Sequence, residues 1–418
     1  MKTAPFICLG LMLLGMPAAA SEGFPKIRFQ GLLDVRTAAA DDTVSWLDGG
    51  LGKTRYGGSG DGDGRFIGRL AEASLIALPQ FSWALSGHFH IKFDKDQHSP
   101  VDIVDAYLNY RSPMTAGGYR FSTRLGAFFP PISIENHGLA WTSTFGLTPS
   151  AINAWVGEEL RTIGAEATLQ KATGDYRFDI RGSLFFANDA TGALLAWRGW
   201  ALHDVTTTLF DRVPLAPIRA IDPMNTFRRH APYLKPFEEI DGKFGYYVST
   251  SAEHLSYGKL AVLAYDNRAN PQKFGGTEYA WRTRFVNISL DLYLPAGVEL
   301  LAQYMTGDTR MGPNPILNLS VDADFEAFYA LLSKGIGNHR LSVRYDDFSV
   351  TDRDTNPYDN NNETGHAWTA AYMLEFLEHH RIAVEFLRVR SNRAERAFIG
   401  LTPQKTEKLF QSSYRFSF

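Results

Sequence analysis

Lys408-Leu409-Phe410-Gln411-Ser412-Ser413-Tyr414-Arg415-Phe416-Ser417-Phe418 ends the chain. From Phe410 on, Phe410, Ser412, Tyr414, Phe416 and Phe418 share one side of an extended backbone. Gln411, Ser413, Arg415 and Ser417 share the other, because strand side chains alternate with period two. A helix would scatter these aromatics around its circumference, whereas a strand gathers them on one face and leaves the polar groups on the opposite one. The same alternation recurs upstream. In 81–93, Phe81, Trp83, Leu85, Phe89, Ile91 and Phe93 oppose Ser82, Ser86, His88, His90 and Lys92. In 119–129, Tyr119, Phe121, Leu125 and Phe129 oppose Arg120, Ser122 and Arg124. In 175–188, Tyr176, Phe178, Ile180, Leu184 and Phe186 oppose Arg177, Asp179, Arg181 and Ser183. In 364–378, Trp368, Ala370, Tyr372, Leu374 and Phe376 oppose Thr369 and Glu375.

The pattern predicts strands at 26–37, 65–78, 81–93, 100–112, 119–129, 158–171, 175–188, 241–254, 257–268, 278–292, 297–308, 321–334, 337–350, 364–378, 381–391 and 406–418. Short links (Pro79-Gln80, 113–118, 172–174, Leu255-Ser256, 293–296, Gly335-Ile336, His379-His380) alternate with longer ones (38–64, 94–99, 130–157, 189–240, 269–277, 309–320, 351–363, 392–405). Short periplasmic turns, long extracellular loops and an even strand number are the plan of an outer-membrane barrel. The fold class predicted is therefore all-β, an antiparallel transmembrane barrel of about 16 strands. Segment 193–204 reads as a helix within a loop; counted as a strand with a second one in 205–240, it would make 18 strands. The period breaks near Phe285-Val286 and Leu387-Arg388, where either a bulge shifts the register or the charges lie above the bilayer.

The terminal strand closing on Phe418 resembles that of bacterial outer-membrane proteins whose final phenylalanine is read by the barrel-assembly machinery. The resemblance implies that partner and the cell outer membrane. The N-terminus agrees with this address. Lys2 precedes an apolar stretch, 6–16, and Ala18-Ala19-Ala20 offers a cleavage site, so 1–20 reads as a signal peptide. That stretch is too short for a membrane-spanning helix, and 21–418 contains no apolar run of helical span length. Cleavage removes Cys8, the single cysteine, leaving a chain held by its fold without disulfides. It also removes Lys2, leaving 41 basic against 45 acidic side chains, which is no footprint for nucleic acid. Aromatics at 13% with mildly negative mean hydropathy suit a wall half in lipid and half in water. Tyr119, Phe129, Tyr414, Phe416 and Phe418 are expected in the interfacial girdles.

Segment 126–163 is the richest in functional signals. Gly126, Phe128, Pro131, Ser133 and Glu135 form a G-x-F-x-x-P-x-S-x-E pattern that resembles phosphate-selective porins of the O/P type. The resemblance implies a third loop, 130–157, folded inward as a constriction. The loop departs from that family in lacking a Lys/Arg-rich constriction, so phosphate is not carried over as substrate. Pro130-Pro131 ends strand pairing, and Pro149 with Thr148 as N-cap begins a short helix. Glu135, Glu158 and Glu159 would carry negative charge to the eyelet. Opposite them, the lumen faces offer Arg28, Lys92, Arg120, Arg124, Arg177, Arg181, Arg340 and Arg344. Rings of charge set selectivity in pores, so these arginines predict a lean towards anions. Asp34, Glu166, Asp179, Asp346, Glu375 and Glu385 share that lumen, and simple pairing of charges is the alternative.

The 189–240 loop is long, apolar and proline-rich, with Trp197, Trp200, Phe210, Phe227, Tyr233 and Phe237, and is expected to pack. It could cover or plug the barrel or latch onto a neighbouring subunit; Arg228-Arg229-His230 and Lys235 suit lipopolysaccharide or solvent. Asp352-x-Asp354-x-Asn356-x-Tyr358-x-Asn360-x-x-Glu363 has calcium-loop spacing, but Pro357 stands where a glycine makes the sharp turn, and Asp61-Gly-Asp63-Gly is weaker still. No metal or cofactor is expected. His88, His90 and His98 near Ser86, Ser99, Asp94, Asp96 and Asp102 supply hydrolase residue types without a motif. The expectation is a porin for small polar, anion-leaning solutes, not an enzyme, embedded among outer-membrane lipids and lipopolysaccharide. A homotrimer is expected by resemblance. The alternative is a plugged barrel serving as a surface scaffold, adhesin or lipid-modifying enzyme.

Overall fold

Sixteen strands pair edge to edge into one closed antiparallel barrel in the computed structural model, which describes residues 23–314 and 319–418. The expected signal peptide and positions 315–318 of the expected 309–320 loop lie outside those residues. The barrel strands are β1 (Lys26–Ala40), β2 (Arg65–Gln80), β3 (Leu85–Phe93), β4 (Val101–Arg111), β5 (Tyr119–Phe128), β6 (Thr162–Thr173) and β7 (Tyr176–Phe186). After two short strands outside the barrel, β8 (Val213–Pro214) and β9 (Tyr233–Leu234), the wall resumes with β10 (Gly245–His254), β11 (Gly258–Asp266) and β12 (Arg282–Leu294). It continues through β13 (Val298–Asn314), β14 (Leu319–Ile336), β15 (His339–Asp352), β16 (Glu363–Phe376), β17 (His380–Arg393) and β18 (Gln404–Ser417). Each strand pairs with its neighbours in sequence order except at two places: β7 pairs with β10 across the long loop, and β1 pairs with β18 to close the wall.

Closure is obligatory in lipid, because an unpaired strand edge has no water to satisfy it. The seam is finished by the last residue. Gly31 N donates to Phe418 O at 3.0 Å, Phe418 N donates to Gly31 O at 3.1 Å, and the Phe418 ring lies over Gly31. A Cβ at Gly31 would stand 2.3 Å from that ring, so a larger residue there would have to displace the Phe418 ring. Outward positions make an apolar belt, with Phe121, Leu125, Ile180, Leu184, Leu332, Val343, Trp368 and Phe410 all exposed. No described helix is long and apolar enough to cross a membrane. The fold is that of an outer-membrane barrel, spanning by strands alone.

Several expected boundaries move. The first turn is 81–84, not Pro79-Gln80: Ser82 Oγ accepts from Ala84 N and Leu85 N, and Phe81 and Trp83 leave the strand for that turn. Most of the expected 309–320 loop is strand, since β13 and β14 run on to Asn314 and from Leu319. Segment 193–204 is not a strand; it contains helix α2 (Ala193–Trp197). At Phe285-Val286 and Leu387-Arg388 the ladders keep register. There Phe285 and Leu387 point inward and are buried, while Val286 and Arg388 point outward. Register instead shifts at Asp34/Val35, at His90/Ile91 and at Met311/Asn314. Phe129 is not in a girdle. It is buried inside, stacked on Trp141 at 4.2 Å with the Arg161 guanidinium over its ring.

Candidate functional site

Two loops fill the lumen. The 129–161 segment turns inward after β5 and carries helix α1 (Ala151–Glu159), all of whose residues are buried. Its entry depends on Gly126, where β5 comes so close to β4 that a Cβ would stand 2.3 Å from Ala106 O, at a φ of +134°. The N-cap of α1 is Ser150, whose Oγ accepts from Asn153 N at 3.3 Å. It is not Thr148, because Thr148 N is engaged by Glu385 of β17 and its hydroxyl accepts from Gln411. Three carboxylates gather around this helix start, where the helix dipole favours negative charge. Glu135 accepts from Ser150 N and Asn153 Nδ2, each at 2.7 Å; Asp346 accepts from Ala151 N at 3.1 Å; Glu385 accepts from Leu147 N at 2.7 Å. Arg344 donates to Thr148 O and Pro149 O and pairs with Asp346 and Glu135, so the wall grips the helix start by charge.

The far end of α1 is tied to α2. Glu158 makes a bidentate pair with Arg198, the α2 C-cap, at 2.6 and 2.7 Å, and lies 3.0 Å from His203. Glu159 accepts from Gly192 N and Leu194 N at the start of α2 and from the Trp155 indole. Adjacent acids thus clamp both ends of one short helix, and their environments drive them apart. Burial works against the Glu158 charge, but Arg198 and His203 overcome it and hold that carboxyl down at about 2. Burial pushes Glu159 up to about 7 and charged Glu158 adds to the rise, while the Leu194 N–H, the Trp155 indole and Arg198 only partly offset it.

Around these helices the outer half of the lumen is a hydrophobic core. Trp155 meets Trp200, Phe285 and Phe325 with ring centroids 5.5–6.0 Å apart. Trp197 and Trp281 belong to an adjoining cluster that takes in Trp46 and Leu51 of the first loop. Inward wall residues at this level are buried all round: Arg36, Phe185, Tyr247, Phe285, Gln303, Tyr329, Arg344, Thr369, Glu385 and Gln411. On the side of the short turns opens a cavity of ≈ 840 Å³ with a mixed polar and apolar lining. Its wall includes His88, Asp105, Arg124, Arg181, Lys259, Asn287 and Asp291, and its roof is the 128–141 segment.

The expected site residues fall into two groups. Arg124 and Arg181 face this vestibule, and Arg120 joins them around a neighbouring space. Arg124 pairs with Glu166, which also accepts from Tyr247; Arg181 lies 3.6 Å from Asp179; Arg177 lies 3.2 Å from Glu253 nearer the turns. Glu135, Glu158 and Glu159 line no water, being held inside the plug, and buried Lys92 donates to Thr206 O at 2.9 Å and sits 3.6 Å from Asp94. The structure therefore brings the arginines together but sets the glutamates apart from them.

Of the hydrolase residue types, His90 meets Ser74, not Ser86; Ser74 Oγ donates to Glu72 at 2.6 Å and does not line the vestibule. Asp354 and Asp359 of the 353–362 loop converge within 4.8 Å with Asp352 at the end of β15, and burial with Asp354 and Asp352 nearby pushes Asp359 up to about 8. Glu363, the twelfth position of the calcium-type spacing, is not with them; it turns inward to Lys53 and accepts from Trp200 N. Arg229 stacks over Phe274 and Lys235 pairs with Glu238, while His230 is buried.

Neither family models nor curated proteins give a match to this chain. Solved structures do, through the fold. The chain is similar to the outer membrane channel DcaP of Acinetobacter baumannii, with 10% identity, a TM-score of 0.53 and coverage of 95% of this chain and 99% of that one. OmpF of Salmonella typhi, solved in complex with daunomycin, gives 10% identity and a TM-score of 0.51 over 94% of this chain and 98% of that one. A loop L8 deletion mutant of OmpT, an outer membrane protein of Vibrio cholerae, gives 10% identity and a TM-score of 0.51 over 94% and 99%. At such identities the likeness establishes the barrel fold.

Proposed function

We propose that this chain is a porin-type outer-membrane channel that rests closed, its lumen blocked by the α1–α2 plug and opened when that plug shifts. The observation that carries the reading is the vestibule: a cavity of ≈ 840 Å³ on the side of the short turns, walled in part by charged and polar side chains, whose roof is the inward-folded 128–141 segment. Its solutes are small and polar, with a lean towards anions from Arg120, Arg124, Arg177 and Arg181. Glu166, Asp179 and Glu253 temper that lean. The Gly126–Glu135 pattern supports a place beside the O/P-type porins, and the inward position of 130–157 agrees with it. Cleavage after Ala20, delivery through Phe418, a surround of lipopolysaccharide and assembly as a trimer belong to the same proposal.

The test is planar-bilayer recording of the refolded protein beside Arg198→Ala, which leaves Glu158 buried and short of its strongest partner. Rare steps in the wild type and frequent steps in the variant support a gated channel. Silence from both, with folded barrels verified by heat-modifiable mobility, overturns it. A second reading, a permanently plugged barrel acting as a surface scaffold, is favoured by one observation, the continuous aromatic core around Trp155. Silence from both proteins is the result it expects.

A further inference from the structure

We propose that His88, His90 and Asp105 form a binding site for a divalent transition-metal ion in the wall of the periplasmic vestibule. Metal binding here is independent of whether the barrel conducts. His88 and His90 are two apart on β3, so both imidazoles face the lumen. The carboxylate arrives by a different device. His90 pairs with Asp105 in the β3–β4 ladder and Ile91 pairs with Ile103, so Val104 is an extra residue in β4. This bulge turns Val104 and Asp105 inward together. Bulges of this kind re-aim a side chain out of the normal alternation.

The ligand atoms lie within 4.8 Å of one another. His88 Nε2 is 2.8 Å from Asp105 Oδ1, and His90 Nδ1 is 4.0 Å from the same oxygen. Yet Asp105 Oδ1 is buried without a hydrogen-bond partner. The close His88 contact is not a hydrogen bond, which leaves this nitrogen and oxygen free to act together as ligand atoms for one ion. The other His90 nitrogen is already fixed: Nε2 is 2.9 Å from Ser74 Oγ, and that hydroxyl donates to Glu72 at 2.6 Å. With Nε2–H donated to Ser74, Nδ1 presents its lone pair to the site. Outer partners of this type orient metal-bound histidines and raise their basicity. His88 is held by stacking on Tyr107, with rings 5.0 Å apart and 10° from parallel.

Two imidazoles and one carboxylate select borderline ions such as zinc, cobalt or copper over calcium and magnesium. All three side chains line the cavity, which leaves a coordination position facing the vestibule for water or an anionic ligand.

The experiment is titration of metal-stripped, refolded full-length barrel with cobalt(II), read by its visible d–d absorption and then by displacement with zinc. One equivalent of cobalt with tetrahedral-type bands is expected. Asp105→Asn and His88→Gln should each weaken zinc binding at least tenfold, and Glu72→Gln roughly tenfold through His90. The double variant His379→Ala/His380→Ala, which removes a histidine pair where the turn enters β17, should bind as the wild type does. Because a wall variant could misfold, the wild type supplies a second readout: zinc should protect His88 from diethylpyrocarbonate. The proposal is overturned if the folded wild type gives no cobalt band, if zinc leaves His88 modification unchanged, or if binding follows His379 and His380.

Discussion

Trp155→Ala is the most direct test of whether the lumen's hydrophobic core is also its gate. Trp155 is 1% exposed, and truncating a fully buried tryptophan costs about 3–5 kcal/mol. Only part of that cost bears on opening. Trp200 belongs to the plug and moves with it, whereas Phe285 of β12 and Phe325 of β14 belong to the wall and are left behind. If the loss is shared evenly over these three aromatic partners, about 2–3 kcal/mol comes off plug docking, and at about 1.4 kcal/mol per tenfold the open population rises roughly 30- to 200-fold. Single-channel recording measures this as open probability. Trp155→Phe, which keeps a ring against both wall residues, should lie much closer to the wild type. The reasoning is refuted if Trp155→Ala lowers the unfolding temperature yet leaves open probability within about threefold of the wild type. The core would then stabilise the barrel without closing it.

Three further outcomes are expected. Glu159 is pushed up from 4.5 to about 7, so between those values the docked plug holds a proton that the released one does not. Docking is therefore strongest at pH 4–5 and weakens as pH rises through 7, by an amount of order 3 kcal/mol. Open probability should climb from pH 5 to pH 7.5, and Glu159→Gln should flatten that climb. Arg120→Glu with Arg124→Glu reverses charge at the vestibule and should move the zero-current potential in a salt gradient towards cation preference; an unchanged potential would remove these arginines from selectivity. Gly31→Val forces the Phe418 ring off the β1–β18 seam and should cost about 1–3 kcal/mol in urea unfolding. Combined with Phe418→Ala its effect should be less than additive, and full additivity would separate the two residues.

The strand plan was legible because lipid enforces it. A wall with one face in hydrocarbon must alternate, and Phe410, Tyr414 and Phe416 on β18 or Phe178, Ile180 and Leu184 on β7 show that alternation without help from the interior. Topology followed from the two classes of link. Strand ends were harder to read, since β13 runs on through polar residues such as Thr309 and Arg310, which look like loop. The plug was legible only as an anomaly. Phe285 and Leu387 broke the expected polar-inside pattern because they face Trp155 and its neighbours, not water. Glu158 and Glu159 looked like eyelet charges because their partners, Arg198 and the start of α2, lie about forty residues further on and only folding brings them together. The carboxylate of the His88–His90 pair was hidden for a similar reason: the bulge at Val104 sets Asp105 on a face that plain alternation would not give it.

The way the plug is held argues for a moving part. An open porin has no use for inward Phe285, Phe325, Leu387 and Val389, each of which would set apolar area against water at about 25 cal/mol per Å². These wall residues therefore require an occupant. Yet the occupant is fastened at its ends by charge: Glu135, Asp346 and Glu385 at the start of α1, Glu158 with Arg198 and Glu159 at its end. Buried ion pairs are a poor way to maximise stability, since well-packed apolar replacements often match or exceed them. They differ from apolar contacts in what happens on release. A carboxylate or guanidinium that leaves its partner inside a polar lumen recovers hydration, whereas a tryptophan recovers nothing. Docking through Trp155 alone would lock the plug, and docking through charges alone would not seal it. The combination gives a seal whose release is offset by hydration of Glu158, Glu159 and Arg198. Glu158 is held down by Arg198 while Glu159 is pushed up towards neutrality, so the part of the pH dependence of opening that Glu159→Gln removes is the part Glu159 carries.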